Sequence, residues 1–198
     1  MTGKAVPKIE AEIIDEVRAG NTRSFALLVD RHKDRAMTLA LRLVGDSREA
    51  EELVQDGFLR AFRNLHQFRG EAQFGTWFYR ILYNLCMTRL RRKMAAPQML
   101  DVNDDAVLDA LPAEEESLTF EEHFESSDLL RFLAIEVDAL PPQYKSAVTL
   151  FYVQEMSYEE IAGVMDVPLG TVKTCLFRGR QLLKKRISMR LKKEVKVA

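Results

Sequence analysis

The chain has 198 residues, 47% of them hydrophobic, which is enough for one or two globular domains. Its formal net charge is −1, and its 2 cysteines and 3 histidines are scattered, which argues against a disulfide framework or a metal site. No apolar run approaches the roughly 20 residues needed to cross a bilayer and no signal core is present, so we expect a cytoplasmic protein without direct membrane insertion.

Helical spacing of apolar residues predicts four helices in residues 1–96, a basic block with 17 Lys/Arg and 12 Asp/Glu. We expect Ser47 to cap the third helix and Thr76 to cap the fourth. A loop with two glycines, HQFRGEAQFGT, separates these two helices. The inner side of the third helix is predicted to hold Leu53, Phe58, Phe62 and Leu65. The predicted helices cover about residues 9–19, 25–44, 48–65 and 77–94.

Residues 97–140 are strongly acidic, with 1 Lys/Arg against 13 Asp/Glu. Within them, residues 97–126 contain two prolines and no sustained apolar period. This composition predicts a flexible linker that its own charge extends. A solvated loop with no role is the simpler alternative for such a segment.

Residues 141–198 are basic again, with 11 Lys/Arg and 5 Asp/Glu. No segment of the chain alternates with the period of a strand, so we predict an all-α protein. It should consist of two small helical domains, residues 1–96 and 127–198, joined by the acidic linker 97–126. The helices predicted for the second domain cover about residues 128–140, 143–154, 158–165 and 169–193.

The segment MDVPLGTVKT, residues 165–174, breaks the helical pattern between two apolar helices. Asp166 tolerates a left-handed backbone better than most residues, and Pro168 sets φ for the first turn of a new helix. The spacing therefore predicts a helix-turn-helix with an apolar inner face.

The outer face of the second helix is polar and basic, as a helix in a DNA major groove requires. Threonine hydroxyls donate or accept hydrogen bonds, while Lys173 and Arg178 have the length to contact guanine or phosphate. A plain helical hairpin with a solvated basic face is the alternative. The candidate DNA-contacting residues are Thr171, Lys173, Thr174, Phe177 and Arg178.

Two long motifs resemble sigma factors of the extracytoplasmic-function (ECF) group. EAEELVQDGFLRAFRNLHQFRGEAQFGTWFYRILYNLCMTRLRRK resembles region 2, and ALPPQYKSAVTLFYVQEMSYEEIAGVMDVPLGTVKTCLFRGRQLLK resembles region 4. The resemblance covers roughly residues 10–95 and 127–190. It implies a non-catalytic subunit without cofactor or small-molecule substrate, whose partners are core RNA polymerase, promoter DNA and an anti-sigma factor. Region 4 would bind the −35 element, and region 2 would bind the polymerase and melt the −10 element.

The resemblance also assigns roles to residues of region 2. Phe68, Arg69, Phe74 and Thr76 fall in the loop that holds a flipped −10 base, and aromatic platforms with cations suit single-stranded bases. Asn84 matches a base-contacting position, with a plain surface residue as the alternative. The residues expected to bind −10 phosphates are Arg89, Arg91 and Arg92. Those expected to bind the clamp helices of the largest polymerase subunit are Glu52, Leu53, Gln55 and Asp56, with a solvated face as the alternative for Glu52.

Other residues favour structural roles. Trp77 is predicted to belong to the core rather than to stack on bases, and Cys86 and Cys175 to be buried thiols rather than a redox switch. Gly179 costs its helix on the order of 1 kcal/mol relative to Ala.

The acidic linker would thread toward the RNA exit channel, as in the family. A conventional helix-turn-helix regulator with an N-terminal sensing domain is the competing function, although no ligand pocket or receiver-like pattern supports it.

Overall fold

The structure, a computed structural model, describes the backbone of residues 9–93 and 126–194 and the side chains of residues 9–93 and 132–189. Most of the predicted linker lies outside these residues. Regular structure in the described ranges is helical, which confirms the all-α prediction. The helices are α1 Glu10–Arg18, α2 Phe25–Val44, α3 Ser47–Arg63, α4 Phe74–Lys93, α5 Ser126–Asp138, α6 Pro142–Val148, α7 Tyr158–Met165 and α8 Leu169–Glu194.

Helices α1 to α4 form the first helical unit, in which α2, α3 and α4 pack on one another. Phe58 of α3 stacks on Phe78 of α4, with ring centroids 4.3 Å apart and an interplanar angle of 18°. Leu28 and Leu39 of α2 and Leu82 of α4 are fully buried in the same cluster. This core fixes the outward faces of α3 and α4 relative to each other.

Three predictions about local structure in this unit are wrong. Ser47 is the first residue of α3, and Asp46 is its N-cap, because the Asp46 carboxylate accepts a hydrogen bond from the backbone N–H of Glu49 over 2.8 Å. Thr76 is not a cap, since α4 already begins at Phe74. Phe62 is 37% exposed rather than buried, and its ring meets the edge of the core at Phe25.

The second helical unit contains the predicted helix-turn-helix. Helix α7 starts with a capping box, in which the Ser157 hydroxyl accepts from the Glu160 N–H and the Glu160 carboxylate accepts from the Ser157 N–H. Asp166 ends α7 with φ 58° and ψ 46°, which confirms the left-handed turn predicted there. Within residues 9–93 and 126–194, no helix is both long and apolar enough to span a bilayer.

The helix predicted over residues 143–154 is divided in the structure. Helix α6 ends at Val148 and continues as a π-helical turn over Thr149–Val153, where the Gln154 N–H donates to the carbonyl oxygen of Thr149 over 3.1 Å. The wider turn directs the buried Gln154 side chain toward α2, where its amide donates to the carbonyl oxygen of Arg35 over 3.0 Å. The departure from the predicted helix therefore serves a contact with the first unit.

Helix α8 crosses α6 closely at Gly179. A Cβ atom added at Gly179 would lie 2.9 Å from Cγ2 of Val148 and 3.5 Å from Cβ of Tyr144, a separation at which Val148 would have to move. Gly179 therefore trades helix propensity for close packing of α8 on α6. Farther along, Arg186 of α8 donates to the buried carboxylate of Glu136 in α5 over 2.8 Å.

Candidate functional site

The N-terminal half of α8 presents one polar face to solvent. Lys173 and Thr174 are exposed, Phe177 is 51% exposed, and Thr171 and Arg178 are partly buried. The five residues lie on one side of the helix, because many of them are three, four or seven positions apart and such residues share a helix face. All five predicted −35 residues thus lie together.

The opposite side of the same turns is buried. Val172 is 0%, Leu176 is 1% and Cys175 is 5% exposed, and they join the core that holds α8 against α6 and α7. Before them, the carbonyl oxygen of Pro168 accepts from the N–H of Thr171 over 2.9 Å. The direction of the outward face is therefore set by the turn and by the buried side.

A second polar surface is an open groove between α3 and α4, with a volume of about 460 Å³. It brings together residues predicted for two different roles, since Leu53 and Asp56 were assigned to the polymerase and Asn84 to DNA. The complete lining is Leu53, Asp56, Arg60, Asn64, Ile81, Asn84, Leu85, Thr88, Arg89 and Arg92.

The groove also contains Arg60, Asn64 and Thr88, which sequence reasoning missed. Their spacing could have indicated them: Asp56, Arg60 and Asn64 are four residues apart along α3, and Thr88 lies four residues after Asn84 along α4. Two polar stripes of this kind, on helices that pack together, form the two walls of the groove.

Two of the basic groove side chains, Arg60 and Arg89, form ion pairs with carboxylates of α3. Arg60 lies 3.0 Å from the Asp56 carboxylate. Arg89 lies 3.5 Å from Glu49 and 3.9 Å from Glu52, so a predicted phosphate-binding residue contacts a predicted polymerase-binding residue. Surface pairs of this kind contribute about 0–1 kcal/mol each, which leaves the arginines ready to exchange a carboxylate for a phosphate.

The residues of α3 predicted to bind the polymerase differ in their exposure. Glu52 and Gln55 are exposed and Asp56 is half-buried, so these three side chains are accessible. Leu53 is only 4% exposed and packs in the core, with an edge on the groove. Leu53 therefore positions α3 rather than offering a contact surface of its own.

The loop before α4 departs from its predicted role. Phe68 is 8% and Phe74 is 2% exposed, and both rings pack against Trp77 at centroid distances of 5.3 and 5.8 Å. Bases cannot stack on either ring in this arrangement, because both rings are buried in the core of the first helical unit. Trp77, partly buried against that core, has the structural role predicted for it.

The remaining predicted −10 residues differ in accessibility. Arg69 is exposed at the surface of the loop, 3.9 Å from the carboxylate of Glu71. Thr76 is 8% exposed, and its hydroxyl donates to the carboxylate of Glu160 in α7 over 3.2 Å. Asn84, Arg91 and Arg92 are exposed on α4. The accessible −10 candidates therefore concentrate on the C-terminal half of α4 and at Arg69.

Comparison with known proteins identifies the family to which this chain belongs. The family model for sigma-70 region 2 matches residues 28–95, and the model for sigma-70 region 4 matches residues 136–183. The ECF RNA polymerase sigma factor SigW of Bacillus subtilis is 34% identical over 185 residues, which cover 88% of this chain and 94% of SigW. The chain belongs to the ECF RNA polymerase sigma factors.

Other relatives agree with this membership. The ECF RNA polymerase sigma-E factor of Haemophilus influenzae is 33% identical over 177 residues, covering 88% of this chain and 93% of the relative. Two solved structures share the fold. CnrH in complex with the cytosolic domain of CnrY has a TM-score of 0.62 at 21% identity and covers 89% and 96% of the two chains. RpoE of Bartonella quintana in complex with the anti-sigma factor NepR has a TM-score of 0.63 at 20% identity and covers 84% and 98%.

As a sigma factor, the protein directs RNA polymerase to promoters. Region 2, residues 28–95, contains the groove, and region 4, residues 136–183, contains the outward face of α8. The N-terminal half is thus a sigma domain, which removes the competing assignment of a sensing domain. The five-residue set on α8, from Thr171 to Arg178, is named the recognition face below, and the α3–α4 cleft is named the region 2 groove.

The two cysteines of this sigma factor are buried, Cys86 at 0% and Cys175 at 5% exposure. Burial raises the pKa of Cys86 to about 12 and raises the pKa of Cys175 above its usual range. Both side chains are therefore protonated thiols near neutral pH and react slowly. Among the residues that the structure describes, no group of three or more His, Cys, Asp and Glu side chains could hold a metal ion.

Proposed function

We propose that the recognition face binds the −35 element while region 2 binds core RNA polymerase and the opened −10 element. The observation that carries this division is the placement of two separate polar surfaces, one on α8 and one between α3 and α4. The sigma factor catalyses no reaction in this scheme. It supplies sequence recognition to an enzyme that does the chemistry.

At the −35 element, α8 enters the major groove with its first turns toward the base edges. Lys173 is exposed there and carries a charge that guanine or phosphate oxygens attract. The Thr174 hydroxyl donates to the carbonyl oxygen of Gly170 over 2.9 Å, which holds its side chain against the helix and leaves the oxygen as an acceptor. Phe177 offers an exposed apolar surface that fits a thymine methyl group.

At the −10 element, the region 2 groove receives the separated strand. Asn84 supplies an amide that both donates and accepts, as recognition of a base edge requires. Arg89 and Arg92 line the same groove and bind phosphates on either side of that base. The missed residues Arg60 and Asn64 extend the groove along α3, which lengthens the strand it accommodates.

On α3, the exposed side chains Glu52, Gln55 and Asp56 form the surface proposed for the clamp helices of the largest polymerase subunit. The pair of Arg89 with Glu52 places this surface next to the DNA groove. Polymerase binding at α3 would therefore also change the charge balance around Arg89. This coupling is consistent with a sigma factor that opens DNA only when assembled with the polymerase.

The organisation proposed for the whole chain follows the charge blocks. Residues 1–96 form the region 2 domain, residues 97–126 the acidic linker toward the RNA exit channel, and residues 127–198 the region 4 domain.

Both solved relatives with this fold are complexes with a second protein, CnrY for CnrH and the anti-sigma factor NepR for RpoE. We infer that an anti-sigma factor also holds this protein, in the cytoplasm or at the membrane.

Run-off transcription with core RNA polymerase on genomic templates tests the proposal. The wild-type protein should produce initiation at defined positions, and Asn84→Ala should reduce it at least tenfold. Asn21→Ala is the matched control, because Asn21 is an exposed asparagine that belongs neither to the lining of the region 2 groove nor to the recognition face. Absence of any sigma-dependent start site, or equal activity of the two variants, would contradict the proposed role.

A further inference from the structure

Glu49, in the first turn of α3, is an anion shared by two cations of α4. Its carboxylate lies 3.5 Å from the guanidinium group of Arg89 and 2.6 Å from the ammonium group of Lys93. Because Phe58 stacks on Phe78 farther along, α3 and α4 run antiparallel, and the start of α3 lies beside the end of α4. No role is predicted for Glu49 from the sequence.

The carboxylate lies deeper than the two cations that it contacts. The Glu49 side chain is 19% exposed, whereas those of Arg89 and Lys93 are 36% and 48% exposed. Arg89 lines the region 2 groove and Glu49 does not. A strand in the groove therefore meets the guanidinium group of Arg89, and Glu49 acts on that strand through the position and charge of its two partners.

Fold stability does not account for this carboxylate. The N-cap of α3 is Asp46, which accepts the backbone N–H of Glu49. In the part of the chain that the structure describes, Oε2 of Glu49 is one of three buried side-chain polar atoms without a hydrogen bond, because the approach of Lys93 is not aligned for one. A buried oxygen without a hydrogen bond is destabilising, so a role other than fold stability is needed to explain it.

Glu49 offsets the repulsion between its two partners. Arg89 and Lys93 are four residues apart on α4, a spacing at which two like charges repel each other. A carboxylate between them attracts both and keeps both at the same wall of the groove. Arg89 is also 3.9 Å from Glu52, so a second carboxylate of α3 limits its movement. Removal of Glu49 would raise the local charge by one and release two long side chains.

We propose that Glu49 is a positioning residue for −10 recognition, which lowers the affinity of the region 2 groove for DNA in general and raises its selectivity for the −10 sequence. This inference rests on the proposed function of that groove and deepens it. Phosphate contacts supply affinity without sequence information, so cations free to follow any strand bind all sequences well. Cations held by Glu49 bind phosphates in one register, which places a base opposite Asn84.

Binding of single-stranded DNA tests the effect on affinity. Glu49→Gln removes the charge and keeps the size of the side chain. The full-length variant should bind labelled oligothymidine several-fold more tightly than wild type at low salt, and its affinity should fall more steeply as salt is added, because an additional cation is free to contact phosphate. Equal affinity and equal salt dependence of Glu49→Gln and wild type would overturn the proposal.

Glu12→Gln is the matched control for charge and for position in a helix. Glu12 is an exposed acidic residue in the first turn of α1, so this substitution removes one negative charge from a comparable site. Its affinity for oligothymidine should equal that of wild type. The same tightening in both variants would show that net charge alone sets the affinity, which would overturn the role of Glu49.

Transcription with core polymerase tests the effect on selectivity. The measured quantity is the ratio of initiation on an intact promoter to initiation on a template with a substituted −10 element. This ratio should fall at least threefold for Glu49→Gln and stay at the wild-type value for Glu12→Gln. An unchanged ratio for Glu49→Gln would overturn the proposal even if its affinity for oligothymidine had increased.

The double variant Glu49→Gln with Lys93→Gln separates charge from position, because it restores the net charge of the wild type. Its affinity for oligothymidine should return close to the wild-type value. Its selectivity at the −10 element should stay low, since Arg89 still lacks the carboxylate that holds it. Recovery of selectivity in the double variant would show that only total charge matters and would overturn the positioning role.

Thermal unfolding separates positioning from a structural role. Glu49→Gln should unfold close to the wild-type temperature, since Asp46 still caps α3. A large loss of stability would make Glu49 a structural residue and overturn the proposal. Failure of the proposed function has a different signature, because wild type would then show no preference for the intact −10 element. If wild type has that preference and Glu49→Gln retains it unchanged, only the role of Glu49 fails.

Discussion

The recognition face of α8 and the loop before α4 were both predicted to contact promoter DNA, and they differ in what their aromatic residues do. Phe177 on α8 is 51% exposed, whereas Phe74 at the start of α4 is 2% exposed. On α8 the helix repeat separates a buried side from an outward side. Phe68 in the loop and Phe74 at its junction with α4 turn inward and join the core of region 2. A regular helix thus fixes which residues face outward, while an irregular loop leaves that choice to tertiary packing.

The largest expected effect compares these two phenylalanines. Phe74→Ala should lower the free energy of unfolding by about 3–5 kcal/mol, because it removes a buried ring from the core of region 2. Phe177→Ala should change it by less than about 0.5 kcal/mol and weaken −35 DNA binding instead. Urea denaturation and DNA-binding anisotropy measure the two quantities. A stable Phe74→Ala protein that has lost only DNA binding would reverse the distinction.

Residues of the recognition face can contact either bases or phosphates, and substitutions distinguish the two kinds of contact. Lys173→Ala should weaken binding to a −35 duplex by about 1–3 kcal/mol if its ammonium group contacts a base. Lys33→Ala on α2, where Lys33 pairs with Asp30, should leave that affinity unchanged. Anisotropy titrations on the cognate duplex and on a scrambled duplex separate the cases. A uniform loss on both duplexes would make Lys173 a phosphate contact.

The packing behind the recognition face has a smaller predicted effect. Gly179→Ala should destabilise region 4 by about 1–2 kcal/mol, because overpacking against Val148 outweighs the gain in helix propensity. Combining it with Val148→Ala opens the space that the new methyl group needs. Thermal unfolding should therefore show a smaller combined loss than the two single losses added together. Additive losses would show that the close crossing of α8 and α6 carries no strain.

The smallest expected effect concerns the pH dependence of α7. The hydrogen bond from the Ser157 N–H lowers the pKa of Glu160 below its ordinary value of 4.5, so the ionised form stabilises the folded state. That contribution is present above the unfolded pKa and is lost as the pH falls through the lowered folded value. The stability difference between wild type and Glu160→Gln should be constant above about pH 5 and shrink below about pH 4. A pH-independent difference between wild type and Glu160→Gln would contradict the assignment.

Much of the fold follows from local sequence signals. Helix α7 begins and ends where the pattern predicts, and Asp166 adopts the left-handed conformation expected of it, because caps and turns depend on neighbouring residues. The cap of α3 was predicted one residue late, since Asp46 and Ser47 are both good N-caps and only the backbone geometry distinguishes them.

The features that could not be predicted from the sequence depend on contacts between residues far apart in the chain. Phe68 and Phe74 have the residue type of a base-stacking platform and also that of a core residue, and composition alone does not separate the two. The bond from Thr76 to Glu160 joins residues 84 positions apart, so no local pattern indicates it. The same contact makes a predicted −10 residue part of an interface between regions 2 and 4.

The central claim is that two surfaces of one sigma factor recognise the two halves of a promoter. Transcription with core polymerase on templates substituted in either half, using wild type, Lys173→Ala and Asn84→Ala, tests it most directly. Lys173→Ala should lose discrimination against −35 substitutions and keep it at −10, and Asn84→Ala should do the reverse. If both variants lose discrimination at the same half, or at neither, the division of recognition between α8 and the region 2 groove is wrong.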